Sequence, residues 1–131
     1  MVDTPKPDAE DYDPASNPHK IYRGWRRLWF ATRHSSQGFL YAFREESAFR
    51  QELLLALLLG PWAFILDFSA VERILLLGSL VILLIVELLN SGIEAAVDRI
   101  SLNHHSLSKR AKDYGSAAVL LAIVQCGGIW I

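Results

Sequence analysis

Two runs without a single charged residue, 53–66 and 74–86, sit inside a chain of only 131 residues, and a third, 114–131, closes it. Each lies within a longer helical pattern, at about 48–68, 71–100 and 111–131, long enough to cross a hydrocarbon layer that needs roughly 20 residues. With 52% hydrophobic and 21% charged residues, a single domain of this size has too little polar surface to cover a water-soluble core. The expected fold is an all-α membrane protein with three transmembrane helices. Gly60-Pro61 falls in the middle of the first span and predicts a kink, which a membrane bundle tolerates. The third run of eighteen residues gives about 27 Å of helix, which just crosses the hydrocarbon.

The charge distribution narrows the function. A net charge of −1 lacks the basic surplus of a nucleic-acid binder, so no nucleic-acid partner is expected. Cys126 is the single cysteine, which excludes an internal disulfide and a cysteine-cluster metal site. Residues 1–19 hold five acids and four of the five prolines, a composition that reads as a disordered acidic leader. They lack the pattern of a secretory signal. The membrane domain is expected over 20–131.

From Lys20 the balance reverses: Lys20, Arg23, Arg26, Arg27 and Arg33 precede the next acid, Glu45. Trp25, Leu28, Trp29 and Thr32 share one face at helical spacing, predicting an N-terminal amphipathic surface helix over about 20–45. A helix packed only on its neighbours would show the same spacing, but tryptophan favours the headgroup boundary. Gly38 is expected to bend the chain before a second helical stretch, 39–52. Of the twelve Lys and Arg after residue 19, only Arg73 falls between the first two spans. The positive-inside rule then puts the N-terminus and the 101–110 loop in the cytoplasm and the C-terminus outside.

The chemistry concentrates on the second span. Glu87, Asn90, Glu94 and Asp98 are separated by three, four and four residues, so they line one helix face. Carboxylates in or near a membrane are costly and usually mark a functional path or site; a ladder bonded to partner helices for packing alone would not require three acids and an amide. Glu94 and Glu46, expected at similar depth, would repel unless a cation lay between them. Oxygen ligands of this kind suit Mg2+, a hard ion that keeps water and bridges phosphates. Lys109, Arg110, Lys112 and Asp113 lie beside that mouth, and carboxylate-held magnesium near lysine is a phosphoryl-transfer arrangement. No Gly-rich phosphate loop or soluble-kinase motif is present. His104 and His105 in the adjoining loop are candidate nucleotide contacts, against the simpler reading of solvated loop side chains. Glu87 stands further into the apolar region, where it suits a general base for a hydroxyl delivered from the lipid side. The depth gradient implies phosphorylation of a lipid alcohol at the membrane interface. A proton or cation carrier would need a polar path onward from Glu87, and 74–86 offers only Ser79. A purely structural membrane module leaves the glutamate ladder beside Lys112 unexplained.

Three segments, EESAFRQE at 45–52, VELLNSGIEAAVDRI at 86–100 and LSKRAKDYGSAAVL at 107–120, closely resemble the small bacterial integral-membrane diacylglycerol kinases. The resemblance runs from about Arg27 to Ile131. It implies a homotrimer of three-span chains in the bacterial inner membrane, with active sites shared between subunits. It also implies transfer of the γ-phosphate of MgATP to diacylglycerol, giving phosphatidic acid for phospholipid recycling. By the same resemblance, Glu87 is the catalytic base and Glu46 and Glu94 hold the metal, while Asn90, Lys112, Asp113 and Arg27 contact the nucleotide. Ala48, Arg50, Gln51, Glu52, Arg73 and Ser116 match positions near the lipid substrate or tied to the site. His34 stands where relatives carry an aromatic neighbour of the nucleotide, and the third span is short at its end. A sister branch of the same fold phosphorylates undecaprenol; the wording FRQE and LNSGIEAAVDR is closer to the diacylglycerol branch.

Overall fold

The computed structural model describes residues 24–100 and 105–131. The leader 1–19, the first residues of the expected surface helix and His104 lie outside the described residues. The chain forms two units, Met1–Gly38 and Phe39–Ile131.

Among the described residues every regular element is helical: α1 Trp25–Glu45, α2 Ser47–Leu59, α3 Trp62–Ile65, α4 Ala70–Ile100 and α5 Ser106–Trp130. Three stretches, Ser47–Ile65, Ala70–Ile100 and Ser106–Trp130, are long and apolar enough to cross a membrane. The last begins earlier than the expected 111, because His105 adopts an extended conformation and its Nδ1 accepts the Leu107 N–H at 3.1 Å. That bond satisfies one of the otherwise orphaned donors at a helix start.

No helix end falls at Gly38, where a bend before a second helical stretch was expected. Helix α1 runs through this glycine to Glu45, and the interruption falls at Glu46, whose backbone is extended (φ −111°, ψ 107°). One glycine costs a helix only about 1 kcal/mol relative to alanine, too little to end a helix by itself. The elbow is secured from both sides. Ala42 and Phe49 are buried there, Phe49 lies against Phe39 with ring centroids 6.5 Å apart, and Arg50 Nη1 donates to the carbonyls of Phe43 at 2.8 Å and Arg44 at 3.0 Å.

The kink expected at Gly60-Pro61 takes a mild form. Both residues keep right-handed helical angles, yet proline has no N–H to donate, so α2 ends and the short α3 begins. A side chain on Gly60 would press on the Ala56 carbonyl oxygen, so the close turn requires glycine. Arg73 then ties the turn between spans: its Nε donates to the Ala63 carbonyl at 2.8 Å, and its guanidinium lies 5.9 Å from the Phe64 ring centre.

Ser69 and Glu72 start α4 with a reciprocal capping box. The Ser69 N–H donates to Glu72 Oε2 at 2.9 Å, and the Glu72 N–H donates to Ser69 Oγ at 3.2 Å. Helix α4 is the spine, packed on α2, α3 and most extensively on α5. Leu80 and Leu83 of α4 meet Ala122 and Cys126 of α5 in the core, flanked by Ala56, Leu59, Val86 and Trp130. The Trp130 indole donates to the Leu76 carbonyl and to Ser79 Oγ, both at 3.2 Å, which fastens the end of α5 onto α4.

Ser69→Ala removes one half of the capping box on an exposed turn. The variant should lose about 1 kcal/mol of stability in reversible detergent unfolding; no loss would show that the box contributes nothing.

Candidate functional site

At 31 residues, α4 is about 46 Å long and exceeds a hydrocarbon layer of about 30 Å. One end therefore extends beyond the apolar zone, and the polar ladder occupies that end. Its four members follow the helical rise from Glu87 to Asp98 over about 16 Å, and the structure gives each a different setting.

Glu87 is the most enclosed, at 4% exposure, and is a buried charged residue within the α2–α4–α5 unit. The charges of Glu46 and Glu94 act on it, and its own charge acts on Glu52. Glu46 and Glu52, near the start of α2, thus stand within electrostatic reach of Glu87 on α4, as does Glu94 on the same helix. Glu46 occupies the N-cap position of α2 without making a side-chain capping bond, so its carboxylate is left for other work. Glu52 was expected beside the substrate; its Oε2 is buried without a hydrogen-bond partner.

One turn on from Glu87, the Asn90 Nδ2 donates to Glu94 Oε1 at 3.4 Å. The Asn90 Oδ1 is buried and unpartnered, as is Ser91 Oγ. Gly115 on α5 is buried against this amide, and a Cβ there would collide with the Asn90 side chain. Gly115 is thus the residue that lets Asn90 fit between the two helices. At the end of the ladder, Lys112 Nζ pairs with Asp98 Oδ1 at 2.7 Å and joins α5 to α4. Asp113 is paired instead with Lys109 on its own helix, also at 2.7 Å. Lys112 therefore meets Asp98 directly and feels Glu94 more weakly.

A groove of about 740 Å3 opens beside Glu52 and Glu87. Gln51, Glu52 and Glu87 form its polar end beside Ala48, and Leu59, Leu83, Ile123 and Trp130 line its apolar length. Such a shape suits an amphipathic ligand whose polar group meets the two carboxylates while its chain follows the apolar wall.

The other expected site residues have different settings. Arg50 and Arg73 direct their guanidinium groups to backbone carbonyls, and Ser116 is exposed on α5. Arg27 and His34 lie exposed on α1 in the first unit. His105 acts as the cap of α5. Among the described residues, no three His, Cys, Asp or Glu side chains converge as a metal site. Carboxylates such as those of Glu46 and Glu94 are the oxygen donors magnesium takes, one or two at a time with water and phosphate oxygens.

Residues 33–131 match the family model for prokaryotic diacylglycerol kinase. The chain belongs to the prokaryotic diacylglycerol kinase family. It is 52% identical over 114 residues to the diacylglycerol kinase of Pseudomonas aeruginosa, covering 87% of this chain and 93% of that one. It is 47% identical over 110 residues to the diacylglycerol kinase of Escherichia coli strain K12, covering 82% and 88%. It is 44% identical over 107 residues to that of Haemophilus influenzae, covering 82% and 91%. Family membership and the three apolar helices make it a multi-pass membrane protein.

Gly115→Ala forces the Asn90 amide from its place beside Glu94 while leaving the apolar core alone. Activity should fall about tenfold or more while unfolding in detergent changes little. Activity within about twofold of the parent would mean that the Asn90 position is not needed.

Proposed function

We propose that this protein is an ATP-dependent diacylglycerol kinase that transfers the γ-phosphate of MgATP to the free hydroxyl of diacylglycerol, giving phosphatidic acid. The observation that carries this reading is the buried Glu87 carboxylate at the polar end of an apolar groove, with Glu46 and Glu94 acting on it. The relatives' shared name supports the substrate class, and the groove supports a lipid as acceptor.

Glu87 accepts the proton of the substrate hydroxyl as that oxygen attacks the γ-phosphorus and the bond from that phosphorus to the departing ADP breaks. A primary alcohol is a weak nucleophile, so positioning and charge neutralisation supply most of the acceleration. Glu46 and Glu94 are the residues that would hold magnesium, whose charge would offset that of the nucleotide phosphates. Asn90 orients Glu94 through its amide N–H. Lys112, anchored by Asp98, presents a cation to the nucleotide phosphates, and Asp113 belongs to the same patch. Glu52, Gln51 and Ala48 border the acceptor at the mouth of the groove. For Arg27 and His34 as nucleotide contacts, the support is the family resemblance alone.

The same reading gives the setting. Helix α1 presents Trp25, Leu28 and Trp29 exposed with Arg33 stacked 5.8 Å from the Trp29 ring centre, the character of a helix at a headgroup boundary. The basic residues around α1 and at the start of α5 support, by the positive-inside rule, a cytoplasmic side for those regions, where ATP is, and an outside C-terminus in a bacterial inner membrane. Exposed Leu57, Leu58, Val81, Ile85, Leu121 and Val124 need lipid or other subunits around them, consistent with a homotrimer.

Glu87→Gln keeps the shape of the side chain and removes its basicity. Turnover should vanish while nucleotide binding persists; more than about a tenth of the parent rate, a loss under 1.4 kcal/mol, would exclude Glu87 as the base. For Glu94→Gln, the magnesium concentration giving half-maximal rate should rise. An unchanged magnesium response would remove Glu94 from the metal site.

A further inference from the structure

Helices α1 and α2 are joined through one non-helical residue, Glu46. Such a joint brings the unpaired carbonyls of one helix end against the unpaired N–H groups of the next. The Glu46 side chain makes no capping bond, so it does not fix its own backbone. Arg50 supplies the restraint. Its Nη1 reaches back from the first turn of α2 to the carbonyls of Phe43 at 2.8 Å and Arg44 at 3.0 Å. The Arg50 N–H also donates to the Glu46 carbonyl at 3.2 Å, and the Glu46 N–H donates to the Ala42 carbonyl at 2.9 Å. One arginine therefore closes a loop around the residue proposed to hold metal.

We propose that Arg50 is a positioning residue, which clamps the elbow carrying Glu46 and so sets where the Glu46 carboxylate stands relative to Glu87 and Glu94. This rests on the reading of Glu46 as a metal-holding carboxylate. Two observations separate the clamp from a contact with the lipid headgroup. The guanidinium is directed to backbone carbonyls, and among the described residues it is in no ion pair with Glu46 or any other acid. A cation at the carbonyl end of α1 is also favoured by the helix dipole. A single-residue joint gives the carboxylate leverage, because small changes in φ and ψ at Glu46 move its oxygens by a large fraction of an ångström. Displacements near 1 Å at a reacting centre cost about a hundredfold in rate.

The test uses the full chain in lipid nanodiscs. Arg50→Met keeps the apolar stem and removes the donors, and Arg50→Lys keeps a cationic donor. Amide exchange at residues 44–48, measured without nucleotide or metal, should accelerate in Arg50→Met and return toward the parent in Arg50→Lys. Binding of Mn2+, a paramagnetic stand-in for magnesium, is then followed by electron paramagnetic resonance with a non-hydrolysable ATP analogue. Its affinity should weaken about tenfold in Arg50→Met, with the KM for diacylglycerol within about twofold of the parent. A raised lipid KM with unchanged Mn2+ affinity would make Arg50 a lipid contact and overturn the proposal. Unchanged exchange at 44–48 would also overturn it. Glu46→Gln distinguishes the two levels of the argument. If it leaves Mn2+ affinity unchanged, the reading of Glu46 fails. If it weakens Mn2+ while Arg50→Met does not, only the clamp fails. Should Arg50→Met not fold, Arg50→Lys carries the same readouts, with smaller shifts of the same sign expected and none at all contradicting the clamp.

Discussion

Carboxylates at the edge of a hydrocarbon layer lose hydration that nothing apolar replaces, and several of them close together also repel. Glu87 is such a carboxylate, buried and within electrostatic reach of Glu46, Glu52 and Glu94, and the helices around it are arranged to keep it. Helix α5 approaches α4 closely enough to enclose the Asn90 amide because Gly115 has no side chain. Lys112 closes the far end of the ladder through Asp98. The elbow between α1 and α2 sets Glu46 at the end of its helix, with its carboxylate uncommitted. Partners for these acids that are cationic, hydroxylic or protonic fit the remaining demand, and a magnesium nucleotide and a lipid alcohol supply all of them.

The apolar groove gives the arrangement its direction. Its polar end holds Glu52 and Glu87, while its apolar wall runs to Trp130, fixed in place by Leu76 and Ser79. A lipid in this groove would place its polar group at the carboxylates without leaving the membrane. Glu94 lies about two turns of α4 away from Glu87, on the side where the helix runs out of the apolar zone. The proposed mechanism uses this separation: the lipid meets the base at one level, and the nucleotide meets metal and lysine at the other.

Much of this was legible in the residues. The spacing of Glu87, Asn90, Glu94 and Asp98 determines a common helix face whatever packs against it, and the length of the charge-free runs determines the spans. Gly38 does not end the helix, since the propensity cost of one glycine is small; the break falls at Glu46, where Ala42 and Phe49 are buried. The Ser69-x-x-Glu72 capping box has a recognisable signature in the sequence, though a weaker one than the apolar runs on either side of it. The roles of Arg50 and Arg73 had no such signature. Which carbonyls need a donor depends on where helices end in space, and arginine among lipid-facing residues looks the same whether it meets backbone or headgroup. Gly115 was similarly hidden, because its meaning lies in its contact with Asn90 twenty-five residues earlier.

The most direct measurement is transfer of labelled phosphate from ATP in mixed micelles containing Mg2+, with diacylglycerol and undecaprenol offered together. The account predicts rapid labelling of diacylglycerol, little labelling of undecaprenol, and no transfer when Mg2+ is chelated. Preferential labelling of undecaprenol, or transfer to diacylglycerol that persists without a divalent ion, would contradict it.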